Sequence, residues 1–139
     1  MMDKSCAEFA DELAAKKSIP GGGGAAAYVG ALAAALCSMA GNYTAGKEKY
    51  AAYEEDLPRM LAEGEKVRER LLELVEEDAA AFLPLSQAYA IPKEDPTREE
   101  TLEKCTKDAL VAPLEMMRQI ARAIELLEEM GEKGSRMLI

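Results

Sequence analysis

Asp78 is the residue whose type and setting could do chemistry. The spacing predicts a long helix from about Glu54 to Tyr89, with Leu57, Met60, Leu61, Gly64, Val67, Leu71, Leu74, Val75, Phe82, Leu85 and Tyr89 along one apolar stripe. Helical rotation of about 100° per residue sets Asp78 between Leu74, Val75 and Phe82. A carboxylate among apolar neighbours is costly unless it is ion-paired, hydrogen-bonded or protonated. Two readings follow. Asp78 is either a structural ion pair or cap to a neighbouring helix, or a functional carboxylate with a raised pKa suited to general acid–base work. Glu76 and Glu77 point away from the stripe, toward solvent.

Two further segments carry ligand-binding chemistry. In Pro20-Gly21-Gly22-Gly23-Gly24-Ala25 the glycines precede a predicted helix from about Ala25 to Thr44. Bare backbone amides at a helix start suit an anion or polar ligand, and the alternative is a plain flexible turn. Gly22-x-Gly24-x-x-Ala27 is a poor dinucleotide fingerprint because Ile19-Pro20 and a helix precede it instead of a strand. No Lys-Ser/Thr follows, so it is not a phosphate-binding P-loop either. Lys47, Lys49 and Tyr50 form a small basic spot in an otherwise acidic chain, or are simply solvated. The helix between these segments is about 30 Å long at 1.5 Å per residue. Glycines and lysines of one chain therefore serve one site only across an antiparallel dimer, or on a long ligand.

The elements that position these residues are all helical. Ser5-Cys-Ala-Glu8 is a capping box that opens a first helix, running to about Lys17. Thr97-Arg-Glu-Glu100 reads as a second box, opening a fourth helix with Leu102, Cys105, Ala109, Met116, Ile120, Ile124 and Leu127 on one face. Pro84 and Pro113 should bend the two long helices. No segment alternates with period two, so no strand is expected. At 139 residues the chain reads as one domain, residues 1–139,. Its apolar finish, Met137-Leu138-Ile139, is odd for a domain and suggests that the sequence continues further.

Composition narrows the function. There is no histidine, which removes Ser-His triads, Cys-His pairs and zinc-protease motifs. The net charge of −9 argues against nucleic acid and against an anionic membrane surface. Cys6, Cys37 and Cys105 are scattered and odd in number, as reduced thiols in a cytoplasmic protein are. No charged residue lies between Ser18 and Gly46. That length could span a bilayer, but it is mostly Ala and Gly, and a second chain is its simplest cover.

Pro20-Gly-Gly-Gly-Gly-Ala-Ala-Ala27, Gly30 to Leu36, Thr44 to Tyr50, Asp78-Ala-Ala-Ala-Phe82 and Val111-Ala-Pro-Leu114, in this order along nearly the whole chain, resemble the formiminotransferase-cyclodeaminase C-terminal family. That family includes formimidoyltetrahydrofolate cyclodeaminases and methenyltetrahydrofolate cyclohydrolases. The family commonly has Ser where this chain has Gly24, and its domain continues past residue 139. The resemblance implies an all-α, multihelical, intertwined homodimer with a tetrahydrofolate derivative near the subunit interface. It implies Asp78 as catalytic, and Gly21, Gly22, Gly23, Gly24, Lys47, Lys49, Tyr50 and Phe82 as substrate-binding. It calls for no metal and no cofactor beyond the folate. The rival from another class is a non-catalytic helical dimerisation or interaction module, with the neutral helix as its seam and Asp78 in an ion pair.

Overall fold

A computed structural model describes residues 1–138; Ile139, the last of the apolar terminal run, lies outside the described residues. Four α-helices form the molecule: α1 (Cys6–Ala14), α2 (Gly22–Thr44), α3 (Asp56–Tyr89) and α4 (Arg98–Lys133). Short 3-10 helices at Glu48–Tyr53 and Arg136–Leu138 complete it. Among the described residues there is no strand.

The expected boundaries hold best where a cap is local. The Ser5 hydroxyl accepts the Glu8 amide at 3.2 Å and the Glu8 carboxylate accepts the Ser5 amide at 2.8 Å. Helix α1 stops at Ala14, short of Lys17, because Ala15 turns extended. The second capping box does not form. Thr97 donates its amide and hydroxyl backward to Asp95, at 2.9 and 2.7 Å, so a turn at Asp95 leads into α4 in its place. The segment after Lys47, expected as a plain polar connection, winds into the 3-10 helix.

Glycines set the spacing of the three long helices. A methyl group at Gly30 would come within 3.0 Å of Ile120 and 3.1 Å of Leu71; one at Gly41 would meet Leu61 and Met130 at 2.9 Å. These contacts align α2 antiparallel to α3 and parallel to α4. Around them pack Leu71, Leu74, Val75, Met60 and Leu126, each 1% exposed or less. Burying side chains of this size yields roughly 1.5–3 kcal/mol each. Arg59 with Glu129, Arg122 with Glu63, and Lys133 with Asp56 tie α3 to α4 along the rim.

Helix α4 presents a different face from the expected one. Ala112, Met116, Ala123, Leu126 and Met130 are buried, while Ile124 and Leu127 are exposed. Small Ala112 and Ala123 let α4 come close, which rotates it and turns larger residues outward. In the alignment fixed by Gly23, Gly30 and Gly41, α3 beyond Asp78 and the opening turns of α4 extend past the start of α2. Pro84 and Pro113 lie inside these helices. Phe82, Leu83, Tyr89, Leu110, Val111 and Leu114 are exposed on this arm. Phe82, 36% exposed, and Tyr89, 61% exposed, both expected within the buried stripe, lie at its edge, while Leu85 and Ala88 between them are buried.

Gly22 offers a simple stability test. It sits in the first turn of α2 with nothing within 4 Å of its missing methyl. Gly22→Ala should raise stability by about 0.5 kcal/mol, measured by urea unfolding, because alanine loses less backbone entropy.

Candidate active site

The glycine run is not a loop. Gly21 is the N-cap of α2, and Gly22, Gly23 and Gly24 are its first three residues. The helix therefore starts three residues earlier than Ala25. Three glycines adopt helical geometry here because Val75 and Asp78 of α3 close over them: Val75 lies 3.6 Å from a methyl position on Gly24, and Asp78 lies against Gly23.

Asp78 is half-buried, one turn before Phe82. Its two carboxylate oxygens lie 2.9 and 3.2 Å from where a Gly23 methyl would stand. Burial raises the Asp78 pKa above its ordinary value, and a hydrogen bond from the Gly24 backbone amide pulls it partly back. Among the described residues no cation pairs with it. Glu76 is bound by the N-terminal ammonium, and Glu77 by Arg70. Of the readings open from sequence, the ion pair falls away, while the cap to a neighbouring helix and the functional carboxylate both remain: Asp78 lies against the first turn of α2, whose own N-cap Gly21 supplies no side-chain cap. Asp78 is a carboxylate held at a helix N-terminus, partly desolvated and without a counter-ion. It can accept or release a proton and stabilise a nearby cation.

The basic spot lies at the other end of α2. Lys47, Glu48, Tyr50 and Glu54, with Leu57 and Leu61, line a cleft of about 320 Å³, so one lysine and two glutamates face it. The Lys49 ammonium stands 5.7 Å from the centre of the Tyr50 ring. The Tyr50 hydroxyl accepts the Arg136 amide at 3.3 Å. The Ser135 side chain and that amide, with Lys49 and Lys47 nearby, hold its pKa below the usual tyrosine value. Thr44, fully buried, donates to the Ala40 carbonyl at 2.7 Å and accepts the Ser135 amide at 2.8 Å. Ser135 was invisible to sequence reasoning, because no local pattern links positions so far apart in the chain.

The predicted site residues thus fall into two groups. Gly21 to Gly24, Asp78 and Phe82 gather at the start of α2; Lys47, Lys49 and Tyr50 gather past its end. A helix of 23 residues separates them, about 30 Å at 1.5 Å per residue. Between them, Val29, Leu32, Leu36, Met39 and Tyr43 form an outward stripe, 45–64% exposed. Helix α2 is also long and apolar enough to cross a membrane, yet Gly30 and Gly41 pack its inner face onto α3 and α4.

The fold and the comparisons together define the class: the chain belongs to the formiminotransferase-cyclodeaminase family, whose profile matches residues 5–139. It is 40% identical over 131 residues to a methenyltetrahydrofolate cyclohydrolase of Methylorubrum extorquens, covering 91% of this chain and 63% of that protein. To the mouse formimidoyltransferase-cyclodeaminase it is 30% identical, over 97% of this chain and 26% of that protein. The formiminotetrahydrofolate cyclodeaminase of Thermotoga maritima superposes with a TM-score of 0.87 at 31% identity, covering 99% of this chain and 66% of that one. The chain spans under two thirds of the length of each of these proteins.

Proposed function

We propose that the chain is a one-carbon folate enzyme, a methenyltetrahydrofolate cyclohydrolase or a formimidoyltetrahydrofolate cyclodeaminase, acting at the N5–C–N10 bridge. The observation that carries this reading is Asp78, partly desolvated, raised in pKa and free of a counter-ion. The methenyl bridge is a delocalised cation. A carboxylate beside it stabilises that charge and accepts a proton as water adds to the bridge carbon. In the deaminating direction N10 attacks the formimino carbon, and a protonated acid supplies the proton with which ammonia leaves. A single carboxyl with a raised pKa serves both. The amides and bare Cα atoms of Gly21 to Gly24 and the Phe82 ring would face the pterin, and Lys47, Lys49 and Tyr50 the glutamate end. No metal and no cofactor beyond the folate is required.

The functional unit in this reading is a homodimer. The outward stripe of α2 repeats at intervals of three and four, the spacing of a helix seam. Val29 and Tyr43 each lie seven residues from Leu36, so a two-fold axis through Leu36 makes the stripe self-complementary. That axis would also bring the start of α2 in one subunit toward the end of α2 in the other, where the Lys47–Tyr50 turn follows. The acid of one subunit then meets the lysines of the other, with the arm of α3 and α4 reaching over its partner. Leu36→Glu puts two acids on the axis. It should convert dimer to monomer at micromolar concentration in light-scattering measurements.

The three cysteines are free thiols, which supports a reducing, cytoplasmic setting. Turnover of methenyl- and formimino-tetrahydrofolate separates the two activities. The rival, a non-catalytic interaction module, explains the α2 seam and takes Asp78 as a cap on the first turn of α2, whose N-cap Gly21 has no side chain to offer. Calorimetry with reduced folates decides: absence of heat with any of them would favour the module.

A further inference from the structure

The four glycines are not equivalent. Gly22 has open space where a methyl would stand, Gly21 approaches only the Ser18 carbonyl at 3.9 Å, and Gly24 makes an ordinary contact with Val75. At Gly23 alone the missing side chain is filled by another residue. Both oxygens of Asp78 and its Cγ, at 2.9, 3.2 and 3.3 Å, occupy the space a methyl would need. Contacts under about 3.0 Å are closer than carbon and oxygen tolerate without movement. The obstructing atoms belong to the reactive end of Asp78.

We infer that Gly23 is the positioning residue for Asp78: its hydrogen-only surface is the seat on which the carboxylate lies flat, within reach of the Gly24 amide. The inference rests on the reading of Asp78 as the acting carboxylate and extends it to the residue that fixes its place. With alanine at 23 the carboxylate must swing off the helix end. It then moves away from the Gly24 amide and toward water. The charges around that seat are already engaged: in the N-terminal segment beside Glu76 and Ala79, Lys4 and Lys17 are both held by Glu12. Helix α2 carries no charged side chain. On α3, Glu76 is held by the N-terminal ammonium and Glu77 and Glu73 by Arg70; on α4, Glu115 is held by Arg118 and Gln119.

The test joins three measurements on the full chain. First, the Asp78 carboxyl carbon is titrated by NMR in the parent, Gly23→Ala and Gly22→Ala proteins. Gly23→Ala should bring the midpoint down toward the ordinary aspartate range, while Gly22→Ala leaves it in place. Second, turnover of methenyl- and formimino-tetrahydrofolate by Gly23→Ala should show kcat down about a hundredfold, the effect of displacing a reacting group by an ångström, with a much smaller change in KM. Third, Gly23→Ala should lower the unfolding midpoint when Asp78 is present and raise it in an Asp78→Ala background, since the clash then vanishes. If Gly23→Ala alone does not fold, recovery of the fold in Gly23→Ala/Asp78→Ala reports the same clash. An unmoved titration together with additive stabilities overturns the inference. Coupled stabilities and a shifted titration with unchanged turnover would leave the seat in place and overturn the catalytic reading of Asp78 instead.

Discussion

Asp78→Asn should lower kcat by about a hundredfold to ten-thousandfold on whichever folate the enzyme turns over, the range removed with a general acid–base group. The amide keeps the shape of the carboxylate against Gly23, so only proton transfer and charge are lost. The same substitution should stabilise the protein at neutral pH. The sign follows from the direction of the shift. Asp78 is raised in the folded state by burial. The folded form is therefore favoured while the group is protonated, and that advantage disappears as pH rises through the folded pKa. At pH 7 the charged, partly desolvated carboxylate is a net liability to folding, and asparagine removes it. Unfolding midpoints of parent and variant should diverge at pH 7 and converge in acid below the ordinary aspartate range. Full turnover in Asp78→Asn would remove this residue from the chemistry.

Mixing two inactive variants should restore activity. An Asp78→Asn chain retains both lysines; a Lys47→Ala/Lys49→Ala chain retains the acid. If each site takes its carboxylate from one subunit and its lysines from the other, a heterodimer holds one intact site and one doubly altered site. Random exchange makes half the dimers mixed, so the mixture should recover about a quarter of parental activity under two-fold pairing. Sites confined to single chains would give no recovery at all. The roughly 30 Å between Lys47 and Asp78 along α2 keeps them from one site within a chain unless the ligand is long. The proposed antiparallel two-fold through Leu36 would remove that distance. Exchange is checked by mass spectrometry of tagged chains, so that a silent mixture cannot be mistaken for unmixed homodimers.

Local signals were readable from residues, and long-range ones were not. The Ser5–Glu8 capping box is a contact over three residues, and it forms as the spacing indicates. The stripe from Leu57 to Val75 faces the core because a helical period suffices to place it. Thr97 failed because Asp95, two residues earlier, competes for its amide and hydroxyl. Gly22 to Gly24 were read as a loop since glycine is a poor helix former; contact with Val75 and Asp78 overrides that propensity. The rotation of α4 depends on how closely Ala112 and Ala123 let it approach its neighbours, which no single-helix pattern contains. For the site, the choice of Asp78 followed from its place in the stripe, but its missing counter-ion needed every neighbouring side chain to be in position.

The contact of Thr44 and Tyr50 with Ser135 and Arg136 bears on how tightly a ligand is held. A lysine-bearing turn hanging free between two helices would have to be ordered each time an anion arrived, at about 0.5–1.5 kcal/mol for each side chain immobilised. Here the backbone just past α4 is fastened to the turn by the Thr44 and Tyr50 hydroxyls, so much of that ordering is complete once the chain has folded. In the proposed site the lysine-bearing turn is thereby preorganised, and its hold on carboxylates would depend on a fastening that reaches across the sequence to Ser135 and Arg136.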